Sequence, residues 1–178
     1  VSVQSPVATS IVDAPEHAKT LVEALDWHVD RHPDRVHLTL LEDENTVLGV
    51  MTYRQLAESA RSLASALIAK DVVPGDRIAL MLTTSLEFFA AFFGILYAGA
   101  VPVPIYPPAR LSQLEDHMLR QAGILNNAEV KILITVPQAI RLGTLLRGQV
   151  RSLALVESVA GLAAHAEPCQ LPSVEDGT

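Results

Sequence analysis

Five groups of side chains in this sequence have types and spacings that bear on chemistry. His28 and His32 stand four residues apart with Asp30 between them, and on one helical face two imidazoles could share a metal ion. Pro33 ends that helix at His32, and no third ligand stands at a matching spacing, so a surface pair is expected. Thr83, Thr84 and Ser85 follow an apolar run and precede a helical one, where hydroxyls and free amides could hold an anion. No GxGxxG or GxxxxGK(S/T) phosphate loop occurs, and Glu87 would repel the anion, so helix capping is expected. Glu115, Asp116 and His117 read as the solvated first turn of a helix, not as an acid–base pair. Cys169 lies in a polar tail without a predicted histidine neighbour, and no GxSxG elbow exists to present a serine, so nucleophilic catalysis is not expected. Phe88, Phe89, Phe92 and Phe93 are all of the chain's phenylalanines. They cover two faces of one helix, one packing on the sheet and the other meeting a second layer or lining an apolar pocket; core packing is expected, with an acyl-chain or partner contact as the alternative. No residue is assigned a catalytic, cofactor-binding or metal-binding role.

These residues must be carried by an alternation of helices and strands. A first helix, Thr20–Arg31, stops before Pro33, and its acidic start and basic end suit the helix dipole. Val36–Leu41 and Val47–Met51, joined by a polar link, predict a hairpin. Thr52 with Gln55 forms a capping box opening a helix from Tyr53 to about Lys70, whose Leu56, Ala60, Leu63, Ala64, Leu67 and Ile68 form a buried stripe. A Pro74-Gly75 turn leads to a strand at Arg77–Thr83, apolar on both faces, as in a sheet covered by helices on each side. Next come a helix Ser85–Ala98 with Gly99 past its end, and a proline-bearing strand Val101–Tyr106 suited to a sheet edge. Ser112 and Glu115 form another capping box, for a helix reaching Asn126-Asn127. A strand Val130–Val136, a helix Gln138–Gly148 and a short strand Leu153–Val156 complete the series. The expected class is therefore α/β with right-handed crossovers and a mainly parallel sheet, preceded by a short hairpin.

Composition narrows the function classes. The 178 residues are 49% hydrophobic and 19% charged, with a formal charge of -7, a globular composition with mass enough for a core. Basic residues are scattered singly, so the positive stripe that nucleic acid or an anionic membrane surface requires is missing. The uncharged stretch from Phe88 to Ala109 is broken by Gly99 and four prolines. That leaves a helix of about 21 Å, short of the roughly 30 Å of a hydrocarbon core, so no transmembrane span is expected. One cysteine excludes an intrachain disulfide and suits a reducing, cytoplasmic compartment. No secretory signal is visible at the N-terminus.

Two patterns then become familiar. Met51-Thr52-Tyr53-Arg54-Gln55-Leu56 resembles the first core motif of the adenylate-forming superfamily. Ile95-Leu96-Tyr97-Ala98-Gly99-Ala100-Val101-Pro102-Val103-Pro104 is similar to its second, in matching order and separation. The continuation Ile105-Tyr106-Pro107-Pro108-Ala109-Arg110, then Gln113-Leu114-Glu115-Asp116-His117 and Arg120-Gln121-Ala122-Gly123-Ile124-Leu125, resembles the fatty acyl-AMP ligase branch. The resemblance covers about Thr20 to Thr178.

It implies a two-step ligase. A fatty acid carboxylate attacks the α-phosphate of Mg-ATP, releasing pyrophosphate, and the acyl group passes from AMP to the phosphopantetheine thiol of an acyl carrier protein. ATP and Mg are thus the implied cofactors of the complete enzyme, and a fatty acid and a carrier protein its partners. In the family the phosphate loop, its lysine and the small C-terminal domain lie downstream of the matched region. Residues 1–19 are therefore expected to be a flexible lead-in and 20–178 a partial N-terminal domain ending before the phosphate loop, inactive alone but contributing one wall of the acyl site. Tyr53, Leu56, Gly99, Pro102, Pro107 and Pro108 carry over as structural markers only. The alternatives are a segment of a long-chain acyl-CoA synthetase and a non-catalytic, adenylation-like binding or scaffold module.

Overall fold

The computed structural model describes residues 14–107, 114–164 and 171–172. Hydroxyl caps set the starts of four helices. Thr20 opens α1 (Leu21–Arg31), and Glu23 completes a capping box there. Thr52 and Gln55 form the expected box at α2 (Tyr53–Ile68). Ser85 accepts from the Phe88 amide at α3 (Leu86–Tyr97), and Ser158 from the Gly161 amide at α6 (Val159–Ala163). Between α1 and α2, β1 (Val36–Leu41) and β2 (Val47–Thr52) make the antiparallel hairpin.

β3 (Arg77–Met81), β4 (Val101–Pro104), β5 (Ile132–Thr135) and β6 (Leu155–Glu157) form one parallel sheet in the order β4-β3-β5-β6. Alternate residues of β3 enter different cores, Ile78 and Leu80 on one face, Ala79 and Met81 on the other, as the period of two in a strand demands. The first face is covered by α1, α2 and α3, with Leu162 of α6 joining them. The second is covered by α4 (Leu114–Asn127) and α5 (Ile140–Leu146). Proline-bearing β4 is an edge strand, where the missing amide donors cost no ladder bond. Close contact of α2 with α3 depends on Gly94: a Cβ there would lie 2.9 Å from the Ala60 carbonyl oxygen and 3.0 Å from Leu63 Cβ.

Three helices hand the chain to the sheet through the same device. After α3, Gly99 takes φ +71°, its amide donates to Leu96 O, and the Ala100 amide donates to Ile95 O. This is the paired 5→2 and 6→1 bonding of a Schellman motif. The Asp71 and Val72 amides repeat it after α2, and the Glu129 and Val130 amides after α4, with Asp71 and Glu129 also at positive φ. The residue after each turn, Val72, Ala100 or Val130, is buried.

The expected elements differ from the observed ones mainly at their ends. α2 stops at Ile68, because the cap at Asp71 draws Ala69 and Lys70 into the exit turn. The helix expected from Gln138 begins instead as a 3-10 turn, Pro137–Ala139, and has no side-chain cap. The last strand lies two residues later than expected at its start, where Ala154 and Leu155 amides both reach Lys131 O. The short helix α6 falls where the sequence suggested the start of a polar tail. The Ser112 capping box and Cys169 lie outside the described residues, as do the side chains of Glu115, Asp116 and His117. Among the described residues, no helix is long and apolar enough to cross a membrane.

Candidate functional site

The strand order places the chain reversal of this sheet between β3 and β5. From β3 the chain crosses through α3 to β4 on one side, and from β4 through α4 to β5 on the other. Neighbouring strands whose connections leave in opposite directions open a crevice at their carboxyl ends, where open α/β sheets bind ligands. Buried Thr135, at the end of β5, closes the base of this crevice by donating its hydroxyl to Met81 O at 3.2 Å.

Beside it lies a cavity of about 250 Å³ lined by Leu82, Thr84, Phe88, Pro104, Ile105 and Tyr106. β3 delivers Leu82, and the Ser85 cap brings Phe88 over from the first turn of α3. The Ile105 amide donates to Leu80 O at 2.9 Å and so extends β4 to the cavity wall. Phe88 is braced edge-on by Phe89 at 5.6 Å and stacked on Phe92 at 6.3 Å. The Tyr106 side chain stands at the rim, 86% exposed. Behind it, the Gln121 amide of α4 donates to Tyr106 O at 3.4 Å.

Among the described residues, no charged side chain lines this cavity. Exposed Thr84 lines it and exposed Thr83 precedes it, but Glu87 adds a negative charge to the same first turn of α3. A triphosphate with its metal requires cations and convergent amides, so these residues do not fit Mg-ATP and no step through it is assigned to them. The carbon surface of Leu82, Phe88, Pro104 and Ile105 could meet an alkyl chain.

The histidine pair takes another part. His28 stacks on Tyr53 at 4.4 Å, and His37 stacks on the same ring's other side at 4.3 Å. The three rings join α1, β1 and α2 beside a second, largely apolar cavity of about 270 Å³ that Phe93 also lines. His28 and His32 rings are 6.2 Å apart, and among the described residues no group of three or more His, Cys, Asp or Glu could hold a metal. Burial, then the nearby His28 and Arg35, hold His37 below the usual histidine range. Tyr53 thus anchors the start of α2 through ring stacking, which its place in the first motif did not specify.

Two ionic arrangements were not legible locally, since their partners lie far apart in the chain. Asp26 of α1 receives Arg61 of α2 at 2.6 Å and the Tyr97 hydroxyl of α3. Burial and that carboxylate push the Tyr97 phenol well above its ordinary range. At the amino ends of the strands, opposite the crevice, Lys131 meets Asp76 at 2.6 Å, and Arg77 meets Glu129 at 2.5 Å and Ala128 O at 2.9 Å. Burial raises the Asp76 carboxyl, but the Lys131 and Val73 hydrogen bonds and the Lys131 and Arg77 charges outweigh it and hold the group below the usual aspartate range. These pairs brace the turns feeding β3 and β5.

The family model for AMP-binding enzymes matches residues 25–175. The chain belongs to this family. A structure from a study of fatty acyl-adenylate ligases of E. coli and L. pneumophila superposes on this AMP-binding domain with a TM-score of 0.76 and 28% identity, over 88% of this chain and 28% of that one. A fatty acyl CoA synthetase of Mycobacterium tuberculosis superposes with a TM-score of 0.67 and 26% identity, over 90% of this chain and 31% of that one. Among curated proteins, a medium-chain-fatty-acid–[acyl-carrier-protein] ligase of Moorena producens is 32% identical over 116 residues, 65% of this chain and 19% of its own length. The chain therefore spans a third or less of each of these relatives. The α/β sheet with its hairpin matches the N-terminal domain of adenylate-forming enzymes, and both motif stretches sit in its framework. Tyr53–Leu56 opens α2, and Ile95–Pro104 runs from α3 through the Gly99 cap into β4.

Proposed function

We propose that this chain is the N-terminal part of a fatty acid–AMP ligase, with residues 20–178 forming the opening of its large domain and the phosphate loop following downstream. The complete enzyme joins a fatty acid to AMP from ATP, with release of pyrophosphate, and passes the acyl group to the thiol of an acyl carrier protein. The observation that carries this reading is the superposition over most of the chain on a fatty acyl-adenylate ligase, reinforced by a cavity at the carboxyl edge of the sheet that no charged side chain lines among the described residues. The carrier protein as acceptor draws on the Moorena relative.

The role of this segment is structural and steric. It supplies half of a crevice and one wall of an acyl site, while the groups that neutralise phosphate charge come from elsewhere in the polypeptide. The test is pyrophosphate release from ATP by the complete enzyme with fatty acids and, separately, with amino acids. Release with fatty acids alone is expected, and residues 1–178 by themselves should release none. Likeness to the fatty acyl CoA synthetase favours one second reading, in which coenzyme A accepts the acyl group.

A further inference from the structure

We propose that Phe88 and Tyr106 set the length of the acyl chain by closing the cavity at the carboxyl ends of β3 and β4 around its methyl end. This inference rests on the fatty acid reading above.

The lining shows which end of the ligand would enter. A carboxylate brought in here would find no cation among the described residues that line the cavity, and an unpaired buried charge is strongly disfavoured. Leu82, Phe88, Pro104 and Ile105 instead present carbon surface beside Thr84 in a mixed lining around about 250 Å³, along which the far end of an alkyl chain can lie. Two other cavities among the described residues are placed less well. The one at the amino ends of the strands is lined by Asp76, Arg77, Glu129, Lys131 and Arg151, and the one beside α1, although more apolar, stands away from the chain reversal.

Phe88 and Tyr106 differ from the rest of the lining in how they are held. Phe88 is a braced stop, fixed by the Ser85 cap and by Phe89 and Phe92. Tyr106 is an aromatic ring left 86% exposed at the rim on a backbone that is not free to drift. Pro104 and Pro107 bracket it with fixed φ, and Gln121 holds its carbonyl. A ring with an apolar body and a wet tip is suited to cover an alkyl chain while its hydroxyl stays in water.

The experiment is pyrophosphate release by the complete enzyme across saturated fatty acids of stepped length, for wild type, Phe88→Trp, Phe88→Ala and Tyr106→Ala. Phe88→Trp is expected to move the optimum to shorter acids, with kcat/KM for the former best acid falling roughly 10-fold or more per methylene displaced. Phe88→Ala and Tyr106→Ala are expected to move it to longer acids. The melting temperature of each variant shows which keep the fold, and Tyr106→Ala preserves the test if a Phe88 variant unfolds. An unchanged ranking of chain lengths in Tyr106→Ala and in the folded Phe88 variants would overturn the proposal while leaving the fatty acid reading intact. A wild-type enzyme that releases pyrophosphate with no fatty acid would overturn both.

Discussion

Replacing Gly99 by Val attacks the joint between α3 and β4, which shapes the second motif. Gly99 holds φ +71°, a region that costs an L-residue about 1–2 kcal/mol, with a β-branched side chain at the upper end. The new Cβ would lie 3.2 Å from Cβ and Cγ of Pro74, closer than ordinary contact, adding about 1 kcal/mol of overpacking. A stiffer unfolded chain offsets about 0.5 kcal/mol, leaving a net loss of roughly 2–3 kcal/mol. At roughly 2–4 °C per kcal/mol for a domain of this size, the melting temperature should fall by about 5–10 °C. Gly99→Asn separates the two causes, since Asn tolerates the left-handed region but still meets Pro74, so it should lose only about 1 kcal/mol. A Gly99→Val protein that melts with the wild type would refute the argument from the cap.

The same cap geometry predicts the opposite sign at Asp71, an exposed residue at φ 60° whose carbonyl, not its side chain, receives Lys131. Asp71→Gly should gain about 0.5–1 kcal/mol in urea unfolding, and a loss would show that the carboxylate has a role of its own. Gly123 lies inside α4 with nothing within 4 Å of a built Cβ, so Gly123→Ala should stabilise by about 0.5–1 kcal/mol in the same assay. Asp76 has its carboxyl held below the ordinary range, so its contribution is complete above the unfolded-state pKa of about 3.9 and is lost as pH falls through the lower folded-state value. Asp76→Asn should cost about 1 kcal/mol at pH 7 and converge with the wild type in acid unfolding below about pH 4; a gap that does not narrow would exclude the ion pair as its source.

Much of the fold could be read from local chemistry. The Thr52 box, the Ser85 cap, Gly99 after α3 and the prolines of β4 each act within a few residues, and each predicted element stands in the structure. Two departures at the C-terminal side depend on distant partners. β6 is positioned by the Lys131 carbonyl more than twenty residues earlier, and α6 is held by Leu162 entering a core built mostly by α1, α2 and α3. Asp71 and Glu129 adopt the left-handed cap without the glycine that would announce it. For the site, the phenylalanine cluster and the Tyr-Pro segment were visible, but their meeting across the ends of β3 and β4 follows from strand order, which no local pattern encodes.

The most direct measurement offers the complete enzyme a fatty acid and Mg-ATP together with holo acyl carrier protein and coenzyme A in competition, and weighs the products by mass spectrometry. A fatty acid–AMP ligase should load the carrier and leave coenzyme A almost untouched. Acyl-CoA as the main product would contradict that assignment and make this the opening of an acyl-CoA synthetase.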